Sequence, residues 1–329
     1  MVTLPLIMGS QPDFSVFKDD LDLFERRFKA AVKSQAPLLD RITHYIINRK
    51  GKQLRPRFVI LSARLFGPAT DSTFNAASLV ELLHTATLVH DDVVDEADER
   101  RGFFSINALW KNKVAVLVGD YLLSKGLLLS LDNNEFRVLQ ILSHAVRKMS
   151  EGELLQMEKS RKLNFNEDIY YEIIRNKTAS LLASACGAGA WSTTQNDELT
   201  QKMMLFGEKA GMAFQIKDDL FDYGNEDVGK PTGNDIKEKK LTLPLIYALQ
   251  QLSANDRKQV IYIIKNENRI KDKVNWLIEK VKETGGIEYA RKKMMEYQGE
   301  ALAILQSLPQ NDANKALEGL VRYTTERKY

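Results

Sequence analysis

The 329-residue chain has a single cysteine, Cys186, so it can carry neither an intrachain disulfide framework nor a cysteine-rich zinc site. A reducing compartment is expected, with the cytoplasm as the default. Proline is scarce: of 8 residues none lies between Pro68 and Pro231, so nothing in that window forces a helix interior to break. No apolar run approaches the ~20 residues that a membrane span needs, because Asp91, Asp120, Lys125 and His84 interrupt the longest ones. The short apolar patch from Leu4 to Met8 lacks the basic flank and the length of a signal peptide. Neither sign of charge dominates: 47 basic against 44 acidic residues leave +3 without a long block, which argues against a dedicated nucleic-acid binder. Alternating strand patterns flanked by Asn-Gly or Asp-Gly turns are missing, as is any long internal repeat, so no hairpin and no solenoid is predicted.

What is present is helical periodicity. Apolar residues recur at three- and four-residue spacings, as in Leu79, Leu82, Leu83, Ala86 and Val89, or Phe136, Leu139, Leu142, Val146 and Met149. The pattern predicts helices over 14–34, 37–49, 56–66, 72–97, 106–131, 135–160, 166–192, 196–224, 241–252, 254–266, 271–284, 287–306 and 312–326. Asp71, Asn164 and Asn196 read as start caps and Pro56 as a first helical residue. The expected architecture is all-α, one domain over 1–329, with the shorter helices after about 241 belonging to the same unit.

Two acidic sets carry the chemistry. Asp91-Asp92-Val93-Val94-Asp95 closes an apolar helix, and at ~100° per residue Asp91 and Asp95 fall within about 40° of each other. Like charges stacked on one face destabilise a helix unless a cation sits between them. One such set is equally well a solvated helix end. The second, Asp218-Asp219-Leu220-Phe221-Asp222, again ends an apolar helix and makes that explanation improbable. Six oxygen-donor carboxylates with no soft ligand favour Mg²⁺ shared with a polyanion. His84, seven residues before Asp91, and Gln215, three before Asp218, point into the same space. Gly211 either opens a gap for a ligand there or lets two helices approach. His44, His90 and His144 show no such alignment.

Basic residues fill the breaks: Gly51-Lys52-Gln53-Leu54-Arg55-Pro56, Arg100-Arg101-Gly102, and Gly229-Lys230-Pro231-Thr232-Gly233 running on to Lys240, with Lys177-Thr178 inside a helix. Cations in glycine-bearing turns before helix starts are phosphate clamps, with arginine adding a bidentate fork. Each is weak alone; beside two metal motifs they gain weight. The last loop is suited to closing over a bound diphosphate.

Together these residues resemble the trans-polyprenyl diphosphate synthases: GKxLRP at 51–56, HxxxxxHDDxxD at 84–95, RRG at 100–102, KT at 177–178, FQxxDDxxD at 214–222, GKPxGxD at 229–235 and KxTxP at 240–244. The likeness spans about 40 to 250. The chain departs from the family at Lys239, where glycine is usual.

The resemblance implies the type I isoprenoid synthase fold, helices around a central cavity, and Mg²⁺-assisted condensation of isopentenyl diphosphate onto an allylic diphosphate such as farnesyl diphosphate. Asp91, Asp92, Asp95, Asp218, Asp219 and Asp222 would hold up to three Mg²⁺. Lys52, Arg55, His84 and Arg101 would bind isopentenyl diphosphate. Arg100, Lys177, Thr178, Gln215, Lys230 and Lys240 would contact the allylic partner, with Lys177 and Lys240 also counted as catalytic. In this family bulky aromatics four or five places before the first aspartate end the product tunnel early. Thr87 and Ala86 stand there, so a long product, C35–C45 and a quinone side-chain precursor, is expected, with Leu128, Leu139 or Leu142 as the tunnel floor. A homodimer is expected from the family. Transient membrane contact at product release is compatible with the sequence, which shows no anchor.

A short-chain synthase, a type I terpene cyclase and a non-catalytic subunit of a heteromeric synthase are the competing readings. A cyclase binds no second diphosphate and so has no use for Lys52, Arg55 and Arg101. A non-catalytic subunit would be expected to have lost aspartates or clamps that this chain keeps.

Overall fold

The computed structural model describes residues 13–48, 51, 53–100, 102–163, 166–224 and 233–326, together with the backbone but not the side chain of Arg100. Over that range the long helices are α1 (Lys18–Ala31), α2 (Pro37–Asn48), α3 (Leu54–Arg64), α4 (Asp71–Val94), α5 (Ile106–Asp132) and α6 (Phe136–Lys162). They continue with α7 (Glu167–Ile174), α8 (Ser180–Thr194), α9 (Asp197–Phe221), α10 (Asn234–Lys237), α11 (Leu243–Gln251), α12 (Ala254–Tyr262), α13 (Lys271–Glu283), α14 (Gly286–Gln306) and α15 (Asp312–Glu326).

The middle of the bundle is α8, whose Ser-Leu-Leu-Ala-Ser-Ala-Cys-Gly-Ala-Gly-Ala run is almost wholly buried. Small side chains let neighbours approach to backbone distance: a Cβ on Gly189 would lie 2.2 Å from the Val59 carbonyl oxygen of α3. A Cβ on Gly207 of α9 would lie 2.6 Å from the Leu182 carbonyl of α8. Burial therefore needs no large residues here, and α3, α4, α6 and α9 pack around one axis. A core of α1–α6 residues, Phe24, Ile60, Leu79, Leu82, Leu122 and Leu142 among them, fills one side, and a separate cluster from α11–α13 forms the C-terminal satellite.

Several local expectations change. Thr70, not Asp71, caps α4, because its hydroxyl accepts from the Thr73 amide in a reciprocal box. Pro56 occupies the third residue of α3, which starts at Leu54. Asn196 does cap α9, while Asn164 lies outside the described residues and Asn166 caps α7. The expected helix over 106–131 breaks at Lys111 (φ 73°), a conformation L side chains rarely adopt. The helix expected over 166–192 is α7 and α8 joined by a π-helical turn, Arg175–Ala179. Two-residue strands β1 (Glu99–Arg100) and β2 (Phe103–Phe104), joined across Gly102 at φ 76°, make the hairpin that the turn signals did not announce. Contrary to the expectation from charge interruptions, α5 is long and apolar enough to cross a membrane by length and composition. It packs against α4 and keeps Val116, Leu117, Leu127, Leu128 and Leu131 exposed.

Candidate active site

The two aspartate sets sit at the C-terminal ends of α4 and α9. Asp91 is partly buried and Asp92 fully, while Asp95 is the exposed C-cap of α4, its amide bonded to the Asp91 carbonyl. On α9, Asp218 is partly buried, Asp219 is 6% exposed, and Asp222 caps the helix. Lys240 lies beside the second set and within the field of the first: its Nζ is 3.7 Å from Asp235 and 2.5 Å from Glu238, and it also feels the charge of Asp95. These charges outweigh burial and raise its proton affinity, keeping it an ammonium.

Beside α9 lies a polar cavity of about 210 Å³, lined by Lys177, Thr178, Gln215, Asp218, Asp219 and Lys240, with Tyr170 and Asp235 completing it. The π-helical turn puts one extra residue into a helical turn, a device often found at functional sites. Here it carries Lys177 and Thr178 to this cavity. Gly152 of α6 admits the turn: a Cβ there would lie 2.9 Å from the Lys177 amide nitrogen and 2.9 Å from Asn176 Cβ. The next residue, Glu153, forms an ion pair with Lys177, and Gln156 Oε1 accepts at 3.5 Å. Thr178 donates to Gln215 Oε1 (2.7 Å), and Gln215 Nε2 donates to Asp219 Oδ1 (2.9 Å). Tyr170 Oη donates to Asp219 Oδ2 (2.8 Å).

The first clamp is equally local. Arg55, in the first turn of α3, brings a guanidinium nitrogen to 2.8 Å from His84 Nε2 on α4, so the two motifs meet although 29 residues apart. With arginine as the only donor, the imidazole accepts at Nε2. His84, Gly51 and Asp92 line a further cavity of about 100 Å³, and Arg55 shares a smaller one with Thr178. The Arg55–His84 pair thus adjoins the polar cavity through Arg55 and Thr178. Lys52, Arg101 and Lys230, and the Arg100 side chain, lie outside the described residues.

Burial sets the acidity of the second set. Asp219 is pushed well up, chiefly by desolvation, then by the Asp235 charge, against the donors Gln215 and Tyr170. Asp235 rises to about 6 through burial and then the charge of Asp222, with Lys240 opposing. Asp222 is raised by burial despite backbone donors. Carboxylates that resist ionisation as a group are suited to a cation that takes up their charge, and an all-oxygen set suits a hard ion such as Mg²⁺. Among the described residues no three carboxylates yet converge to ligating distance. Asp222 is the clearest reason: its oxygens accept from the amides of Asn234 (2.7 Å) and Asp235 (3.1 Å), so it holds the start of α10.

Sequence reasoning named Asp235 only inside a loop motif and missed Glu153, Gly152 and Tyr170 entirely. Tyr170 sits one turn plus three residues before Lys177, a spacing no motif rule weights. Gly211 is resolved as a contact between helices, since a Cβ would lie 2.7 Å from Ala179 Cα. His90 packs its ring over Gly119, and His44 and His144 are exposed, so none joins the site. Lys239 adopts φ 58°, where glycine is unstrained, and its Nζ bonds the Lys265 carbonyl at 2.9 Å. Of the residues expected to set product length, Ala86 and the floor residue Leu142 are fully buried in the α4–α6 core with Leu139 against it, and Thr87 is partly buried. Leu128 is corrected: it is 52% exposed on the outer face of α5, because the helix phase turns it away from α4.

Residues 36–281 match the profile of the family described as Polyprenyl synthetase. The chain belongs to that family; it is a prenyltransferase that makes polyprenyl diphosphates. It is 32% identical to heptaprenyl diphosphate synthase component 2 of Bacillus subtilis over 96% of this chain and 90% of that one. It is 33% identical to the octaprenyl diphosphate synthase of Escherichia coli over 90% and 92%. Among solved structures it resembles a decaprenyl diphosphate synthase from Rhodobacter capsulatus (TM-score 0.90, 34% identity, 95% and 97% covered). It also resembles a geranylgeranyl pyrophosphate synthase from Bacteroides thetaiotaomicron (TM-score 0.82, 39% identity, 95% and 98% covered).

Proposed function

We propose that the chain adds isopentenyl diphosphate repeatedly to an allylic diphosphate and stops at a long all-trans product, C35–C45, a quinone side-chain precursor. The observation that carries the two-substrate reading is the adjacency of the Arg55–His84 clamp to the cavity of Lys177, Thr178 and the second aspartates. A cyclase needs only the second of these.

Asp91, Asp92, Asp95, Asp218 and Asp219 are the residues that would hold Mg²⁺, with Asp222 supporting the set through α10. When bound, the ions supply charge to the departing diphosphate as the allylic C–O bond breaks. Lys177 and Lys240 stabilise the same leaving group from the protein side, and the charged substrate draws Lys177 off Glu153. Thr178 and Gln215 line the space beside the allylic cation with oxygen dipoles. Arg55 and His84, with Lys52 and Arg101, hold isopentenyl diphosphate so that its double bond faces that cation. His84, the imidazole among these side chains, is engaged by Arg55 at Nε2 and is not placed for the step, so the departing diphosphate takes the final proton. The small side chains of Ala86 and Thr87, where a bulky aromatic would end the product early, support a long chain, in line with the heptaprenyl, octaprenyl and decaprenyl relatives.

The exposed leucines of α5 support a homodimer, which covers that face. The Bacillus relative is named as a component, which favours one alternative, a subunit that needs a partner. A cytoplasmic enzyme with transient membrane contact at release fits the product's chemistry. Purified protein with Mg²⁺, labelled isopentenyl diphosphate and farnesyl diphosphate should give a ladder ending at one long prenyl alcohol after dephosphorylation. A ladder ending at C20 would make it a short-chain enzyme; no elongation from a folded homodimer would favour the subunit reading; a cyclic hydrocarbon would make it a cyclase.

A further inference from the structure

Among the polar side chains that line the cavity beside α9, Tyr170 touches the second aspartate set yet has no task in the reaction as described. Tyr170 of α7 is 2% exposed, and its hydroxyl donates to Asp219 Oδ2 at 2.8 Å. The other oxygen of that carboxylate accepts from Gln215, four residues back on Asp219's own helix, and Gln215 accepts from Thr178. Thr178 lies eight residues after Tyr170 on the continuous α7–π-turn segment. The four side chains therefore form two rungs between the same pair of helical segments: Tyr170 to Asp219 at one end, Thr178 to Gln215 at the other, tied along α9 by the Gln215–Asp219 bond.

We infer that Tyr170 is a positioning residue: its hydroxyl locks the Asp219 carboxylate to α7, and so fixes the second aspartate set in register with Lys177 and Thr178. Without it, Asp219 keeps, among the described residues, a side-chain donor from its own helix alone, and the carboxylates are tied to the segment of Lys177 through the Thr178 rung and, farther along α9, the Arg175–Glu208 ion pair. Outer hydrogen-bond partners of metal-holding groups commonly govern affinity as strongly as this. The Arg55–His84 pair sits on α3 and α4, outside the two helical segments that the rungs join, so the affinity for isopentenyl diphosphate serves as the control that the positioning role leaves unmoved.

This rests on the reading that Asp218 and Asp219 hold divalent metal, and the two are tested separately. Mn²⁺ serves as the probe, its free concentration read by electron paramagnetic resonance in the presence of an unreactive allylic bisphosphonate. Loss of Mn²⁺ binding in Asp218→Asn and Asp219→Asn supports the metal reading, and unchanged binding in both overturns it whatever Tyr170 does. Tyr170→Phe keeps the ring in its buried seat and removes only the hydroxyl. The expected result is roughly 10- to 100-fold weaker Mn²⁺ binding and a matching fall in kcat, with the affinity for isopentenyl diphosphate unchanged. In the Asp219→Asn background the same substitution should add little further loss.

Unaltered Mn²⁺ affinity, an equal loss of isopentenyl diphosphate affinity, or a full additional loss in the Asp219→Asn background would each overturn the inference. If Tyr170→Phe folds only when combined with Asp219→Asn, the hydroxyl serves to hold a buried charge for folding; if it folds in neither background, the hydroxyl is needed for folding whatever stands at 219, and in both cases the positioning role is overturned.

Discussion

Arg55 and His84 meet at 2.8 Å between the first turn of α3 and the middle of α4. In the function proposed above, the pair would fix one face of the isopentenyl diphosphate site before substrate arrives. Arg55→Ala removes a charged donor that the diphosphate would use, an interaction of about 1.5–3 kcal/mol. The expected outcome is a roughly 10- to 100-fold higher KM for isopentenyl diphosphate with little change in KM for the allylic substrate. Arg55→Lys should recover only part, since a point charge does not reproduce the fork. Steady-state kinetics with each substrate varied in turn checks this.

Gly152 tests whether the π-helical turn matters. An alanine methyl would press on the Lys177 amide and Asn176 at 2.9 Å, and backbone yields less readily than a side-chain tip. Gly152→Ala should cost about 1–3 kcal/mol of stability and lower kcat more than it raises either KM. Thermal melting and initial rates together decide the matter; a variant with native rates would show that Lys177 tolerates displacement.

Product length separates two residues once grouped together. Ala86 is fully buried below the first aspartates, so Ala86→Tyr should shorten the product to roughly C15–C20, at a cost of about 1–3 kcal/mol from overpacking. Leu128 faces outward, so Leu128→Ala should leave the product unchanged. Chromatography of dephosphorylated products reads both.

Leu128 belongs instead, with Leu117 and Leu131, to the exposed face of α5. Leu117→Asp would bury an unpaired charge in a dimer interface built there and should yield a monomer by sedimentation. Dimers that persist unchanged would place the interface elsewhere.

Asp235 gives a pH signature in metal-free protein. Burial, then the Asp222 charge, lifts its carboxyl to about 6, above the ~3.9 of an unfolded chain. Between those values the folded state holds more protons, so this group favours folding increasingly as pH falls from neutrality through about 6 toward 4. Asp235→Asn carries no such titrating group. With chelator present, its melting temperature should exceed that of the parent by a few degrees near pH 8, and the gap should narrow near pH 5.

Much of this molecule was legible in the residues alone. The absence of proline between Pro68 and Pro231 and the three- and four-residue apolar spacing settle long helices, because those signals are local and act through backbone geometry. Two DDxxD sets, the Arg55 turn and Lys177-Thr178 name the chemistry, since few other tasks need paired carboxylates beside clustered cations. Contacts between distant segments were beyond that reach. Gly152 and Gly211 matter because of what packs on them, Tyr170 because α7 happens to lie against Asp219, and Asp222 because its oxygens meet the start of α10. Leu128 was misplaced for the same reason: periodicity sorts a helix into faces, but only packing says which face meets the core and which meets solvent. Sequence thus determined the helices and the reactive groups; the tertiary structure decided which groups share a cavity, because only side-chain packing brings segments a hundred residues apart into register.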